Sequence, residues 1–261
     1  MKNWIKKFCA ILFSFFCFFV LWAAVSKKLD SELILPGIKS VLKKIIWFCS
    51  GGGGFWNHFA FSFLRIILSF VISVFFGTVL GLIAGCFNFA DDFLRFPVSF
   101  LRTVPVISII LIALFWLKSG SVPLFVSVLM TFPVMYTAVR SGFLQDDSSL
   151  MQMAQVYNFS KWQKFRYIQL PNLVPFFLNG LVSAFGLTWK VVAAGEVLSV
   201  PEYGIGSVLQ LNQVHLESAS VFAVTLIFAG FSFLSESLMA LLVRLFLKNI
   251  QAPVAKEVLH E

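Results

Sequence analysis

The residues of this 261-residue chain that could carry out chemistry are few and widely separated. Its three histidines form no HxxxH pair and have no clustered carboxylates beside them, which argues against a metal site. No serine elbow or Cys–His arrangement indicates covalent catalysis. The four cysteines lack CxxC spacing and lie mostly in apolar runs, so we interpret them as small core residues. A membrane-embedded enzyme is therefore poorly supported.

Charged side chains inside apolar segments are the other candidates, because a charge in a bilayer is costly and often functional. Lys190, Glu196 and Glu236 all lie in such segments. Lys190 could line a pathway and attract an anion, pair with a carboxylate, or snorkel towards water. Glu196 lies well round the helix from Lys190 and could instead fix the loop of residues 201–206. Glu236 is a candidate partner for Lys190.

The elements that must position these side chains are membrane spans. The composition is 59% hydrophobic and 12% charged, with a mean hydropathy of +0.90. A soluble domain carries about a quarter charged residues, so this composition excludes a disordered chain and argues strongly against a water-soluble globule. The net charge of +8 is not concentrated on a polar domain, which favours membrane lipid over nucleic acid as a partner.

Charge-free runs predict about six spans, each needing about 20 apolar residues. They cover residues 8–26, 66–90, 103–117, 119–139, 167–189 and 218–235, with the last continuing to about residue 247. The first run exceeds the apolar region of about 7–15 residues in a signal peptide, which favours a span. Counts of Lys and Arg are 12 on one side and 7 on the other, and predict both termini in the cytoplasm of a bacterial cell.

Glycines divide the chain into a segment on the membrane and a segment inside it. Residues 51–54 are four consecutive glycines, so we exclude residues 45–64 from the spans. We predict an amphipathic interfacial helix over residues 36–50. Gly77, Gly81 and Gly85 repeat every four residues, which predicts a stripe where a second helix approaches closely. The predicted units are residues 1–57, a core of residues 58–250, and a tail of residues 251–261.

The longest polar interval, residues 140–170, predicts a helix–turn–helix. Asp146 and Asp147, with the serines that follow, could cap the first helix. Asn158 could end it in a left-handed conformation, and Ser160 could cap the second. Such an element could present apolar side chains to a partner groove. The alternative is an interfacial helix lying on lipid.

This interval resembles the coupling loop of binding-protein-dependent ABC transporter permeases, whose pattern is E-A-A-x3-G-x9-I-x-L-P. Ile168, Leu170 and Pro171 match the end of the pattern. Asn158 stands at the glycine, and the opening triplet falls on residues 152–154, reading Gln-Met-Ala. The segments at residues 102–105, 189–196 and 203–206 resemble the nitrate, sulfonate and taurine branch of that family.

The resemblance implies an all-α membrane protein of the type I importer class, with a coupling helix between spans four and five inside residues 144–171. It implies ATPase contacts at nine positions: Gln152, Met153, Ala154, Asn158, Lys161, Trp162, Ile168, Leu170 and Pro171. It also suggests a translocation pathway near Trp189, Lys190, Glu196 and Glu236. The implied solute is small and anionic or polar, such as a sulfonate, nitrate or a vitamin precursor.

The implied partners are ABC ATPase subunits, an extracytoplasmic binding protein and a second permease copy. This chain has no GxxxxGK[ST] loop, so ATP and Mg²⁺ are expected on the ATPase and no cofactor here. A stand-alone secondary transporter or channel is the alternative. Such proteins usually carry inverted repeats, and we find no convincing repeat.

Overall fold

The computed structural model describes residues 2–29, 31–145 and 148–257, and the regular elements in these ranges are all helical. The α-helices are α1 (Lys2–Leu29), α2 (Ile38–Cys49), α3 (Phe55–Cys86), α4 (Asn88–Thr103), α5 (Val106–Trp116), α6 (Val122–Leu144), α7 (Ser148–Val156), α8 (Lys161–Lys164), α9 (Leu170–Ser199), α10 (Ile205–Val214) and α11 (Ser218–Glu257). The all-α prediction is confirmed.

Four helical stretches in the described ranges are long and apolar enough to cross a membrane. They correspond to α3, α6, α9 with the turns before it, and α11, and the bent pair α4–α5 would make a fifth. Helix α1 contains the predicted first span but is not among the four. The count of six spans therefore stays a prediction.

Helix α3 begins earlier than the glycine pattern predicted. Excluding residues 55–64 from the span was wrong, because α3 starts at Phe55. Gly51, Gly53 and Gly54 have φ values of 92°, 62° and 66°, in the left-handed region that glycine adopts without strain. The glycines thus form a tight turn that is complete before the helix begins. The helix predicted over residues 36–50 is present as α2.

The predicted third span, residues 103–117, is not one straight helix. Helices α4 and α5 meet at an angle of 100°. Pro105 has no backbone N–H and disfavours helical geometry in the residue before it, and Val104 is extended at φ −70° and ψ 132°. The charge-free run locates α5 correctly, but its first residue belongs to α4.

The predicted glycine stripe is the contact between α3 and α6. A Cβ atom built on Gly77 would lie 2.5 Å from the Cβ of Met135, and one on Gly81 would lie 2.9 Å from the Cβ of Val139. Gly85 continues the stripe towards the end of α6. No side chain could replace these hydrogens without separating the helices, so the packing prediction is confirmed.

Helix α6 lies between α3 and α9, and small residues allow the second contact as well. A Cβ atom on Gly180 would lie 2.6 Å from the Cβ of Ala138, and one on Gly195 would lie 2.8 Å from the Cα of Pro123. Helix α9 continues to Ser199, beyond the predicted end at residue 189. The short helix α10 was not predicted.

Helix α2 packs on α11 and carries an exposed ion pair with the residue before that helix. Lys44 Nζ lies 2.6 Å from Glu217 Oε2, and both side chains are substantially exposed. The hydrogen bond from the Lys44 ammonium holds the pKa of Glu217 below its ordinary value, with a second hydrogen bond from Ser220 acting the same way. This pair ties α2 to the start of α11.

Candidate functional site

A surface hairpin, formed by α7, residues 157–160 and α8, occupies the predicted helix–turn–helix interval. Asn158 has φ 52°, so the left-handed turn predicted there is confirmed. The N–H of Asn158 donates to the carbonyl of Gln155 at 3.1 Å, and the N–H of Phe159 donates to that of Ala154 at 2.9 Å. These two bonds form a Schellman motif, which satisfies carbonyls at the end of α7. Asparagine tolerates this conformation better than most non-glycine residues.

The second half of the hairpin begins with a complete capping box. Ser160 Oγ accepts a hydrogen bond from the N–H of Gln163, and Gln163 Oε1 accepts one from the N–H of Ser160. The predicted cap at Ser160 is therefore confirmed. The predicted cap of the first helix at Asp146 and Asp147 lies outside the described residues. Two helix-terminal motifs separated by one residue give a short turn of defined shape.

Aromatic side chains attach the surface hairpin to the end of α6. The ring of Phe165 lies 6.2 Å from that of Phe143 and 5.6 Å from that of Trp162. Phe143 itself packs on Gly85 of α3, where a Cβ would lie 2.5 Å from its ring. Between α8 and α9 the chain makes a π-helical turn at Phe165–Gln169. Contacts thus run without a gap from the helix bundle to Trp162.

The nine residues predicted for ATPase coupling divide by exposure. Ala154 and Ile168 are buried and support the hairpin from beneath. The other seven lie at the surface: Gln152, Met153, Asn158, Lys161, Trp162, Leu170 and Pro171. Trp162 is 65% exposed although its ring is largely apolar. Contact of these residues with an ATPase stays a prediction.

A charged node at the opposite end of the bundle surrounds Glu196, which is fully buried. Its Oε1 lies 2.6 Å from Arg65 Nη1, while its Oε2 accepts hydrogen bonds from Ser62 Oγ at 2.7 Å and the N–H of Gly206 at 3.0 Å. Arg65 also donates to the carbonyl of Tyr203 at 2.6 Å. Glu196 therefore holds the loop of residues 201–206 in place, which is one of the roles that the sequence suggested for it.

The glycines of that loop let its backbone lie directly on the carboxylate. A Cβ atom on Gly204 would be 2.7 Å from the Glu196 Cδ, and one on Gly206 would be 2.4 Å from the Glu196 Cβ. His58 Nδ1 accepts a hydrogen bond from the N–H of Gly204 at 3.1 Å. Sequence reasoning did not connect Arg65 with this site, because 131 residues separate it from Glu196. Its one sequence signal is a cation beside a long apolar run.

The other three predicted pathway residues do not come together. Trp189 is buried among aromatic rings, with its centroid 5.0 Å from that of Phe228. Lys190 is exposed on α9. Glu236 packs against Gly186, where a Cβ would lie 2.9 Å from its carboxyl carbon. Within the described ranges Lys190 and Glu236 form no ion pair, so the suggested pairing of the two is wrong.

A cluster of cations between α4 and α6, which the sequence did not reveal, lines a crevice of about 230 Å³. We call it the arginine crevice and define it by Arg95, Ser99, Arg102, Tyr136, Thr137 and Arg140. Both Nε and Nη2 of Arg140 donate to the two oxygens of Asp91. Arg95 and Arg102 form no ion pair with any described carboxylate. The crevice thus holds three guanidinium groups against one carboxylate.

Comparison with known proteins shows which family the chain belongs to. Residues 77–248 match the family described as binding-protein-dependent transport system inner membrane component. The taurine transport system permease protein TauC of Escherichia coli is 26% identical over 226 residues, covering 83% of this chain and 80% of that protein. The putative aliphatic sulfonates transport permease protein SsuC of the same organism is 29% identical over 219 residues, covering 84% and 82%. The nitrate import permease protein NrtB of Synechococcus elongatus is 27% identical over 202 residues, covering 72% and 71%.

Solved structures share the fold at low sequence identity. An amino acid ABC transporter crystallised with histidines has a TM-score of 0.58 and 15% identity, covering 73% of this chain and 92% of that one. An inward-facing MetNI methionine ABC transporter has a TM-score of 0.54 and 16% identity, covering 72% and 92%. The family match spans more than half of the chain. The protein therefore belongs to the inner membrane components of binding-protein-dependent transport systems, and is a membrane-spanning permease subunit of the ABC importer type.

Proposed function

We propose that this permease moves a small oxyanion, such as a sulfonate or nitrate, into the cytoplasm of a bacterial cell. The supporting observation is the set of relatives that its sequence matches over most of their length, whose names specify taurine, aliphatic sulfonates and nitrate. All of these solutes present a compact negative group of oxygens. Lys190, exposed on α9, would face the pathway and favour an anion there.

The surface hairpin would receive the ATPase. Val156, Tyr157 and Trp162 are 78%, 71% and 65% exposed on an element whose turn is held by a Schellman motif and a capping box. A rigid element with exposed aromatic side chains suits a partner groove better than it suits water. Because Phe165 and Phe143 connect the hairpin to α6, a displacement of the hairpin would reach the spans directly.

The rest of the assembly is proposed by analogy with the family. Two copies of the permease would pair in the lipid bilayer, two ATPase subunits would bind ATP and Mg²⁺, and a binding protein would deliver solute to the outer face. Both termini and the surface hairpin would lie on the cytoplasmic side, with the Glu196 node at the outer side. Closure driven by ATP would then shift the spans between outward and inward states.

Reconstituted uptake tests the function. Permease, ATPase and binding protein are placed in liposomes, and uptake of labelled taurine and nitrate is followed with and without ATP. We expect uptake only with all three proteins and ATP. Uptake by the permease alone would refute the proposal in favour of a secondary transporter or channel.

Trp162→Ala tests the hairpin, with Trp116→Ala as the matched control because Trp116 is 78% exposed at the end of α5. Loss of an aromatic anchor of this kind weakens a complex by about tenfold or more. We expect that loss of ATPase affinity for Trp162→Ala alone, measured by titrating ATPase onto permease in nanodiscs. Equal affinities for both variants would show that the ATPase docks elsewhere.

A further inference from the structure

We propose that the arginine crevice binds one oxyanion group, of the sulfonate, nitrate or phosphate kind. The proposal depends on the proposed function only for the identity of a transported ligand, since a lipid phosphate has the same chemistry. The crevice is distinct from Lys190 on α9 and from the surface hairpin.

The charge balance of the crevice calls for an anion. Arg140 is neutralised by Asp91, in a contact that uses two of its nitrogens. Arg95 and Arg102 lie on the same face of α4, seven residues apart, and no described carboxylate pairs with either. Both side chains are exposed, so water weakens their mutual repulsion without abolishing it. An anion between them would remove that repulsion.

The polar groups of the crevice are also incompletely satisfied. Tyr136 is 2% exposed, and its hydroxyl makes no hydrogen bond of standard geometry in the part of the chain described; its side-chain interaction with Asp91 shares that carboxylate with Arg140. A buried hydroxyl that shares one acceptor in this way is incompletely satisfied. An oxyanion that accepts from Tyr136 and from planar guanidinium groups would supply one.

The size and the walls of the crevice fit a small group. Its volume of about 230 Å³ exceeds that of a water molecule, about 30 Å³, several-fold. Val98 is 3% exposed and packs with Ala84 and Tyr136, which gives the crevice a fixed apolar floor. An anion would therefore rest on a preformed floor, with the exposed Arg95 and Arg102 closing over it.

The arginine crevice lies close to the end of α6 that contacts the surface hairpin. Thr137 and Arg140 lie on the last two turns of α6 before Leu144, so the crevice lies within about 10 Å, along the helix, of the end of α6. The same end of α6 carries Phe143, which contacts the hairpin through Phe165. An anion here would bridge α4 and α6 next to the ATPase-coupling element.

Binding is tested on the full-length permease purified in a maltoside detergent, with ethanesulfonate as the soluble probe. Arg102→Gln and Arg95→Gln remove one guanidinium each, and Arg244→Gln on α11 is the control because that arginine is exposed and outside the crevice. We expect saturable binding whose Kd rises at least tenfold in both crevice variants and is unchanged in the control. Arg102→Lys keeps the charge without the planar fork and should give an intermediate Kd, which separates a local effect from misfolding.

A second arm identifies the source of the anion. The same proteins are placed in nanodiscs of phosphatidylglycerol and phosphatidylcholine, and retained lipid is measured by mass spectrometry. Retention of phosphatidylglycerol that depends on Arg95 and Arg102, without ethanesulfonate binding, would assign the crevice to a headgroup. If neither ligand depends on these arginines, the inference is overturned.

Uptake measurements keep this inference separate from the proposed function. A reconstituted complex that transports taurine with an unchanged KM in Arg102→Gln, and whose variants bind ethanesulfonate and phosphatidylglycerol normally, overturns the anion site and leaves the transport function intact. If the complex instead transports no anion, and the crevice variants lose phosphatidylglycerol, the proposed function fails and the anion site stands.

Discussion

Replacing Arg65 with methionine should destabilise this protein more than any exposed charge substitution. Arg65→Met keeps an unbranched apolar stem but leaves the carboxylate of Glu196, which is completely buried, without its cation. Removing one partner of a buried pair costs about 3–5 kcal/mol, because the remaining charge is uncompensated. Glu196→Gln should cost less, about 1.5–3 kcal/mol, since its amide oxygen can still accept from Ser62 and Gly206.

The double variant Arg65→Met/Glu196→Gln should cost clearly less than the sum of the two single variants. The reason is that the glutamine removes the unpaired charge responsible for most of the Arg65→Met cost. We expect a coupling free energy of about 2 kcal/mol, within the range found for residues in direct contact. The assay is equilibrium unfolding in mixed micelles, followed by tryptophan fluorescence.

The Lys44–Glu217 pair provides a matched control. Its N–O distance is also 2.6 Å, but its side chains are 37% and 50% exposed, compared with 12% and 0% for Arg65 and Glu196. Lys44→Met should therefore cost less than about 1 kcal/mol. The reasoning fails if the Arg65 and Lys44 variants are equally stable, or if the double variant is strictly additive.

Three further predictions concern the hairpin, the glycine stripe and the Lys44–Glu217 pair. Asn158→Gly should preserve ATPase coupling. Asn158→Val should destabilise the left-handed turn by about 1–2 kcal/mol and speed amide hydrogen exchange across the hairpin. Equal exchange rates in the two variants would contradict the role of the turn. Gly77→Ala should lower the unfolding temperature, because its Cβ would lie 2.5 Å from a side chain of α6, while Gly230→Ala, which meets nothing within 4 Å, should not. Because the pKa of Glu217 is lowered by Lys44, the stability that this carboxylate adds is present above its ordinary pKa of 4.5 and is lost as the pH falls through the lowered value. The stability difference between wild type and Glu217→Gln, expected below about 1 kcal/mol, should follow that course, and a difference that grows in acid would contradict it.

Local signals in the sequence predicted local structure well. Asn158 and Ser160 act through hydrogen bonds to residues within five positions, so their roles in the hairpin could be deduced without knowing the fold. The four-residue spacing of Gly77, Gly81 and Gly85 likewise predicted a close contact, although the identity of the facing helix required the structure.

Features that depend on distant segments or on a single bond could not be predicted. The absence of charge over residues 103–117 does not show where the chain changes direction. The 100° bend at Pro105 divides these residues, so that the first belongs to the end of α4 and most of the others form α5. The arginine crevice assembles residues of α4 and α6 whose spacing in sequence has no pattern. Lys190 and Glu236 were joined by charge alone, and the described residues show no ion pair between them.

The Glu196 node has a consequence for the biosynthesis of the chain. Arg65 precedes Glu196 by 131 residues, so at the usual 5–20 residues per second the ribosome needs about 7 to 26 s to deliver the carboxylate after the cation. Through that interval the Arg65 guanidinium lacks the carboxylate that it contacts in the folded protein. Nascent chains that stop before residue 196 should therefore keep Arg65 without its native partner.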